Sequence, residues 1–389
     1  MGLPRAWKRL RFLSLLLAFA GCDKPAKVIQ KIPQTTCEAT GPGGAEQSRV
    51  QRSVWASGLQ NPWDVVFLPG EEGALISERP GRVSLRRGDG QRVPVDGPKD
   101  VLARGEGGLL GMTMAPDFAG NRMIFLCFSH QGAPNDNRVV RFRLSEDGVR
   151  LEQRKDLVTG MPYSSGRHSG CRLLLGSDGF LYVGTGDAAQ GEHPQNLASL
   201  GGKVLRITLE GEPAPGNPQA DGKDPRVFTY GHRNVQGLAE QPGTGRIYSG
   251  EHGSSVDDEI NLLLPGSNFG WSPGLPYQEN VPMTDLTRFP EARTAVWSSG
   301  SSTTALSGIT FLRGNVWKSW DGYLIGAELK NRRLRLLKLD EAGLKAEAQR
   351  ELCGEQKVRL RTPVLGPDGA LYVTTDARDG GDEIWRLTP

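Results

Sequence analysis

Apolar residues recur at every second position in short runs along this chain, and each run stops at a cluster of Pro, Gly, Asp or Asn. Such alternation sets one face of an extended segment against a core and the other toward polar surroundings, so the runs predict strands. One arrangement returns six times, at 63–78, 109–126, 173–187, 237–251, 308–327 and 364–376: an alternating run, a turn, then a second run with an aliphatic or aromatic centre. It is plainest in Leu173-Leu-Leu-Gly-Ser-Asp-Gly-Phe-Leu-Tyr-Val and Val364-Leu-Gly-Pro-Asp-Gly-Ala-Leu-Tyr-Val. Third runs follow several copies, as in Gly81-Arg-Val-Ser-Leu, Lys203-Val-Leu-Arg-Ile-Thr and Glu383-Ile-Trp-Arg-Leu, and no stretch keeps a helical period. The repeat predicts an all-β fold, a six-bladed β-propeller of four-stranded antiparallel blades over residues 51–389, with the first strand of each blade lining a central channel. A pair of β-sandwiches is the alternative, and it gives no reason for six similar units.

Composition supports many short strands. The 52 Gly and 26 Pro make up about a fifth of the 389 residues, against roughly 12% in an average soluble chain, and they are spread throughout. Residues 1–21 read as an export signal: Arg5, Lys8, Arg9 and Arg11 precede an apolar run from Phe12 that ends in Ala20-Gly21-Cys22. The Ala-Gly-Cys ending resembles a bacterial lipobox, so Cys22 is expected to become a lipidated N-terminus, and residues 22–50, polar with Pro and Gly, to form an anchor and flexible tether. The protein is therefore expected in the periplasm or cell envelope, held to the membrane by its lipid alone. Removing the four basic residues of the signal turns the net charge of +3 into −1, which removes the reason to invoke nucleic acid. Four cysteines remain, and three pairings are open to them. Cys37 and Cys353 lie in irregular segments, and a bridge between them would pin the tether to the body; Cys127 and Cys171 lie in apolar runs, where buried thiols need no partner.

Four loop segments carry chemistry that a turn does not need. Arg167-His168-Ser169-Gly170 presents a histidine, the side chain whose ordinary pKa suits proton transfer near neutrality. Tyr230-Gly231-His232-Arg233-Asn234 places a forked cation beside an amide, suited to a carboxylate or a polarised carbonyl. Glu251-His252-Gly253-Ser254-Ser255-Val256-Asp257-Asp258-Glu259 offers hard oxygen ligands, carboxylates and loop carbonyls, for which calcium is the natural ion. Lys330, with Arg359 and Arg361 at alternate positions of one run, adds further cations. Together with Arg233 these would converge on one channel mouth as a site for a small polyanion.

These segments also carry a resemblance. Gly108-Leu-Leu-Gly, Arg167-His-Ser-Gly, Gly231-His-Arg-Asn-Val-Gln-Gly-Leu-Ala, Ser249-Gly-Glu-His-Gly, Asp258-Glu-Ile-Asn and Asn268-Phe-Gly-Trp stand in the order found in the glucose/sorbosone dehydrogenase family. More closely, the chain resembles the aldose sugar dehydrogenases and soluble glucose dehydrogenase that use pyrroloquinoline quinone. The resemblance implies oxidation of the anomeric carbon of aldose sugars to lactones, with His168 as general base and hydride passing to the quinone. It implies Arg233 beside the reacting quinone carbonyl, Asn234, Lys330, Arg359 and Arg361 as cofactor-binding residues, and calcium (Ca2+) held by the carbonyls of Gly253 and Ser254. By the same analogy Asp257, Asp258 and Glu259 are not ligands of that ion. The chain departs from the family at Glu106, a cofactor-side position commonly Gln, at Ser254, commonly Pro, at Arg167, an Asp in the soluble glucose enzyme, and at Cys171, where a small residue is usual. No Cys-x-x-Cys-His haem motif occurs, so electrons are expected to leave to a separate, unidentified acceptor. Two other readings stand beside this one: a calcium-dependent propeller lactonase, and a ligand-binding propeller lipoprotein without catalysis.

Overall fold

The computed structural model of the protein describes residues 1–2, 35–41, 49–70, 72–377 and 380–389. Residues 3–34, which carry most of the expected export signal and Cys22, lie outside the described residues, as do 42–48 of the expected tether. In chain order the strands begin with β1 (Thr35–Thr40), β2 (Arg49–Leu59), β3 (Pro62–Phe67), β4 (Ala74–Glu78), β5 (Arg82–Arg86) and β6 (Arg92–Val95). Next come β7 (Leu109–Met114), β8 (Met123–His130), β9 (Asp136–Leu144), β10 (Leu151–Met161), β11 (Gly170–Leu175), β12 (Leu181–Thr185), β13 (Lys203–Ile207) and β14 (Val227–Tyr230). Then follow β15 (Val235–Glu240), β16 (Ile247–Glu251), β17 (Glu259–Leu262), β18 (Trp297–Ser298), β19 (Leu306–Phe311) and β20 (Leu324–Glu328). The last are β21 (Arg333–Leu339), β22 (Ala346–Leu352), β23 (Leu360–Leu365), β24 (Leu371–Thr375) and β25 (Asp382–Thr388). Among the described residues helix is confined to one four-residue turn and two short 3-10 segments, and no helix is long and apolar enough to cross a membrane.

Each of the six sequence copies supplies an antiparallel hairpin, from β3–β4 through β23–β24. The first strands of these hairpins, β3, β7, β11, β15, β19 and β23, touch in succession, and β23 returns to β3, so the fold is a propeller-like ring of sheets. The expected six separate four-stranded blades need one correction. Among the described residues four sheets have four strands, but β1 hydrogen-bonds to β22 on one side and to β2 on the other, joining the other strands into a nine-stranded sheet, so the ring is built of five sheets. β1 also lies within the stretch read as tether, and the Cys37–Cys353 disulfide fastens it to the body as expected. Cys127 and Cys171 are buried as their apolar runs require, but as a disulfide between β8 and β11 and not as free thiols.

The sheets pack through apolar faces, and the ring is narrow enough for inner strands to touch backbone to backbone. A Cβ on Gly111 would lie 2.4 Å from the carbonyl oxygen of Cys171, and one on Gly237 would lie 2.7 Å from that of Ser307, so glycine is required at both. One guanidinium ties the inner strands together. Buried Arg172 of β11 donates from Nη1 to Asp64 Oδ2 of β3 at 2.9 Å, from Nη2 to Thr362 Oγ1 of β23 at 3.0 Å, and from Nε to the Gln236 carbonyl of β15 at 2.7 Å. Asp64 Oδ2 also accepts the Met112 N–H of β7 at 3.2 Å. Burial pushes the Asp64 carboxyl above its usual range even though Arg172 pulls it down.

Candidate active site

His168 lies between β10 and β11 in a left-handed backbone conformation, φ 48°, and Cys171 repeats it at φ 62°. A residue with a side chain is held there at a cost of about 1–2 kcal/mol, so neighbours must fix the turn. Glu106 Oε2 accepts the His168 N–H at 3.1 Å, Asn234 Oδ1 accepts the Gly170 N–H at 3.1 Å, and Asn234 Nδ2 donates to Glu106 Oε2 at 3.2 Å. The disulfide from Cys171 to Cys127 anchors the far end of the turn. Both groups of Asn234 are thus engaged in holding the histidine turn.

The imidazole is buried and oriented from both sides. Its Nδ1 lies 2.7 Å from Asp187 Oδ1, and Asp187, fully buried, also accepts the Ala189 N–H at 2.8 Å, the Trp271 Nε1–H at 2.7 Å and the Tyr277 hydroxyl at 3.0 Å. A carboxylate has no proton to give, so Nδ1 carries the hydrogen in the neutral ring and Nε2 keeps its lone pair. That nitrogen points toward Glu279 Oε1 at 3.7 Å. Glu279 Oε2 accepts from Arg233 Nη2 at 2.8 Å, and Oε1 is paired with Arg167. Burial works against the Glu279 carboxylate, but the Arg233 guanidinium, with Arg167 behind it, holds it below the usual range. Arg233 also donates from Nη1 to the His252 carbonyl at 2.8 Å, while its Nε is buried with no partner among the described residues.

Beside this cluster a cavity of about 410 Å³ is lined by Trp63, Glu106, His252, Lys330, Arg359 and Arg361, among others. Three of the four expected cations therefore meet there, and Arg233 sits outside its lining, joined to it through the His252 carbonyl. Arg361 is fixed over the Trp63 ring at 4.0 Å and paired with Asp376 Oδ2, with 3.1 Å from its Nε. Lys330 Nζ reaches Ser302 Oγ at 3.4 Å. Burial keeps the His252 ring below its usual pKa, so it adds no charge near neutrality. The loop of Gly253 and Ser254 is clamped by Asp258, whose carboxylate accepts the Gly253 N–H at 2.7 Å, the Thr304 N–H at 2.7 Å and Oγ1–H at 2.8 Å, the Thr303 hydroxyl at 2.8 Å and the Leu306 N–H at 3.0 Å. Among the described residues no donor reaches the Gly253 or Ser254 carbonyl, and Ser254 Oγ is buried without a partner. His232 stays away from the site, with Nδ1 2.5 Å from Glu251 and Nε2 2.8 Å from Thr229.

Sequence reasoning missed Asp187, Tyr277 and Glu279. Asp187 follows the second strand of the third repeat, where a buried carboxylate is unexpected, but Tyr277 and Glu279 lie in a long loop after Trp271 with no periodic signal.

The family model described as Glucose / Sorbosone dehydrogenase matches residues 59–386. The chain is similar to an aldose sugar dehydrogenase of Escherichia coli strain K12, 32% identical over 357 residues that cover 89% of this chain and 94% of that one. Its fold is similar to the apo form of the soluble aldose sugar dehydrogenase from Escherichia coli, with a TM-score of 0.80, 30% identity and coverage of 87% and 99%. It is likewise similar to the PQQ-bound aldose sugar dehydrogenase from Streptomyces coelicolor, with a TM-score of 0.74, 30% identity and coverage of 92% and 98%.

Proposed function

Because the chain belongs to the glucose/sorbosone dehydrogenase family, we propose that it oxidises the anomeric carbon of aldose sugars to lactones, using calcium-bound pyrroloquinoline quinone as hydride acceptor. The observation that carries this reading is the pairing of an oriented base with an adjacent cationic cavity. His168 has its Nδ1 proton committed to Asp187 and its Nε2 lone pair on the Glu279 side, and its backbone N–H is held by Glu106 of the cavity where Lys330, Arg359 and Arg361 meet.

The residues fit the group. Three cations around a small cavity suit a planar tricarboxylate, and the unpartnered Arg233 Nε marks a donor still in need of an acceptor. Lys330, Arg359 and Arg361 would hold the carboxylates, and Glu106 would face the cofactor while also fastening the histidine turn. The carbonyls of Gly253 and Ser254, kept in place by Asp258, would hold calcium. When bound, the quinone supplies the two-electron hydride acceptor and calcium the Lewis acid at its reacting carbonyl. His168 Nε2 takes the proton of the anomeric hydroxyl, so that the bond from carbon to that oxygen becomes a carbonyl as the hydride leaves. Asp187 stabilises the imidazolium formed in that step. Arg233 places positive charge where negative charge develops on oxygen.

A calcium-dependent lactonase would need several carboxylate and amide ligands in the channel, where this chain offers Glu106 and Gln236 beside three cations. The export signal, the lipid anchor at Cys22 and a separate electron acceptor belong to the same proposal. Apoprotein supplied with calcium and pyrroloquinoline quinone should reduce a dye when given aldoses, and H168Q should bind the quinone but not turn over. The reading fails if no aldose supports turnover and the quinone does not bind.

A further inference from the structure

We propose that Glu279 recognises the substrate hydroxyl on the carbon next to the anomeric one, making it a specificity-determining residue. The inference rests on the dehydrogenase reading above. His168 Nε2 and Glu279 Oε1 lie 3.7 Å apart. Both are acceptors when the imidazole is neutral, so they cannot satisfy one another; Arg167 takes one lone pair of Glu279 Oε1, and among the described residues no hydrogen-bond donor reaches His168 Nε2. Two acceptors this close match a ligand that presents two donors on neighbouring atoms. A vicinal diol does so, and in an aldose the anomeric hydroxyl and the hydroxyl on carbon 2 form one. The first donates to the base and loses its proton; the second donates to Glu279 and keeps it.

Two further observations assign Glu279 to the ligand. Its side chain is 34% exposed, against 0% for Asp187, so a sugar can reach it while the orienting carboxylate stays sealed. Its position is set by Arg233 through Oε2 at 2.8 Å and by Arg167 through Oε1, and these cations keep it ionised. A carboxylate with one oxygen fixed by a buried guanidinium is a directional acceptor, and a hydrogen bond to a charged acceptor is among the stronger ones. Arg167, noted in the sequence as a departure from the soluble glucose enzyme, thereby acts on the substrate side through Glu279.

The experiment compares an aldohexose, its 2-deoxy analogue and its 2-amino-2-deoxy analogue as substrates of the calcium- and quinone-loaded enzyme, each expressed as a ratio of kcat/KM within one variant. Taking ratios removes any change in folding or quinone content, which an absorbance titration of the quinone measures separately. Wild-type protein should prefer the parent sugar over its 2-deoxy analogue by roughly 10- to 100-fold. In E279A that preference should collapse to within about threefold. E279Q, which keeps an acceptor oxygen but not the charge, should retain part of the preference and lose any advantage of the ammonium-bearing analogue. If wild-type oxidises parent and 2-deoxy sugars equally, or if E279A keeps the wild-type ratio, the inference is overturned while the dehydrogenase reading stands. If no aldose is oxidised by the loaded wild-type enzyme, both fall together.

Discussion

Replacing Asp187 with Asn changes one oxygen to an amide nitrogen and leaves the shape intact, so it isolates what the carboxylate does for His168. Asp187 receives four donors: His168 Nδ1 at 2.7 Å, Trp271 Nε1 at 2.7 Å, the Tyr277 hydroxyl at 3.0 Å and the Ala189 N–H at 2.8 Å. An amide has a single acceptor oxygen. With that oxygen toward His168 and Ala189, its NH2 meets the Trp271 N–H. Turned the other way, it meets the Ala189 N–H and forces Nδ1 to accept, which moves the ring proton to Nε2 and abolishes the base. Either arrangement leaves a buried donor unsatisfied, worth about 1–3 kcal/mol. The charge is lost as well. An imidazolium and a carboxylate in contact, with centres about 4 Å apart and an effective dielectric near 20, interact by about 4 kcal/mol, or nearly three powers of ten in rate. D187N should therefore lower kcat by about 100- to 1000-fold, inside the usual range for general-base catalysis. Quinone affinity should hold, since Asp187 does not line the cavity. Dye-reduction kinetics at saturating quinone, together with a quinone titration, provide the assay. A kcat within tenfold of wild-type, or a loss traceable to weaker quinone binding, would refute the assignment of Asp187 as the group that orients the base.

Other predictions concern charges away from the base. R172M should destabilise the fold by about 3–5 kcal/mol, because it leaves Asp64 buried without its cation. Without that cation the folded pKa of Asp64 rises further, so the loss relative to wild-type should grow as pH increases through the already raised wild-type folded pKa of Asp64; urea midpoints that show no such trend would count against it. Asp376 behaves oppositely. Burial raises its carboxyl, but Arg361 outweighs this and holds it below the ordinary value. Its contribution is therefore present above about pH 4 and disappears as pH falls through its folded pKa, and D376N should flatten the acid limb of the stability curve. An unchanged acid slope in urea titrations of D376N would show that the pair with Arg361 contributes nothing.

The repeat was legible because strand alternation and Pro-Asp-Gly turns are local properties, and all six copies became hairpins. β1 was not, since its pairing with β22 and β2 joins residues about three hundred positions apart in one case, and no local pattern encodes such a distance. The disulfide of Cys127 was hidden for a related reason: an apolar run buries a thiol and a bridge equally well. At the site, His168, Arg233 and Lys330 stood out as polar groups in loops that did not require them. Asn234 also stood out, but the sequence alone does not reveal that its amide holds Gly170 and Glu106. Asp187 became meaningful only once the β11–β12 hairpin, with Gly170 opposite Thr185, had set it beside His168, and Glu279 only once its loop had brought it to Arg233.

The pairing of β2 with β25 has a consequence for how the chain is made. β2 is made more than three hundred residues before β25, so this part of the sheet stays open, with strand edges exposed on β2 and β24, until β25 has been added. A chain cut short before Asp382 would present β2 and β24 as two unpaired edges, prone to joining those of other incomplete chains. Only a chain that extends through β25 can hide them, so topology itself separates such copies from shorter fragments.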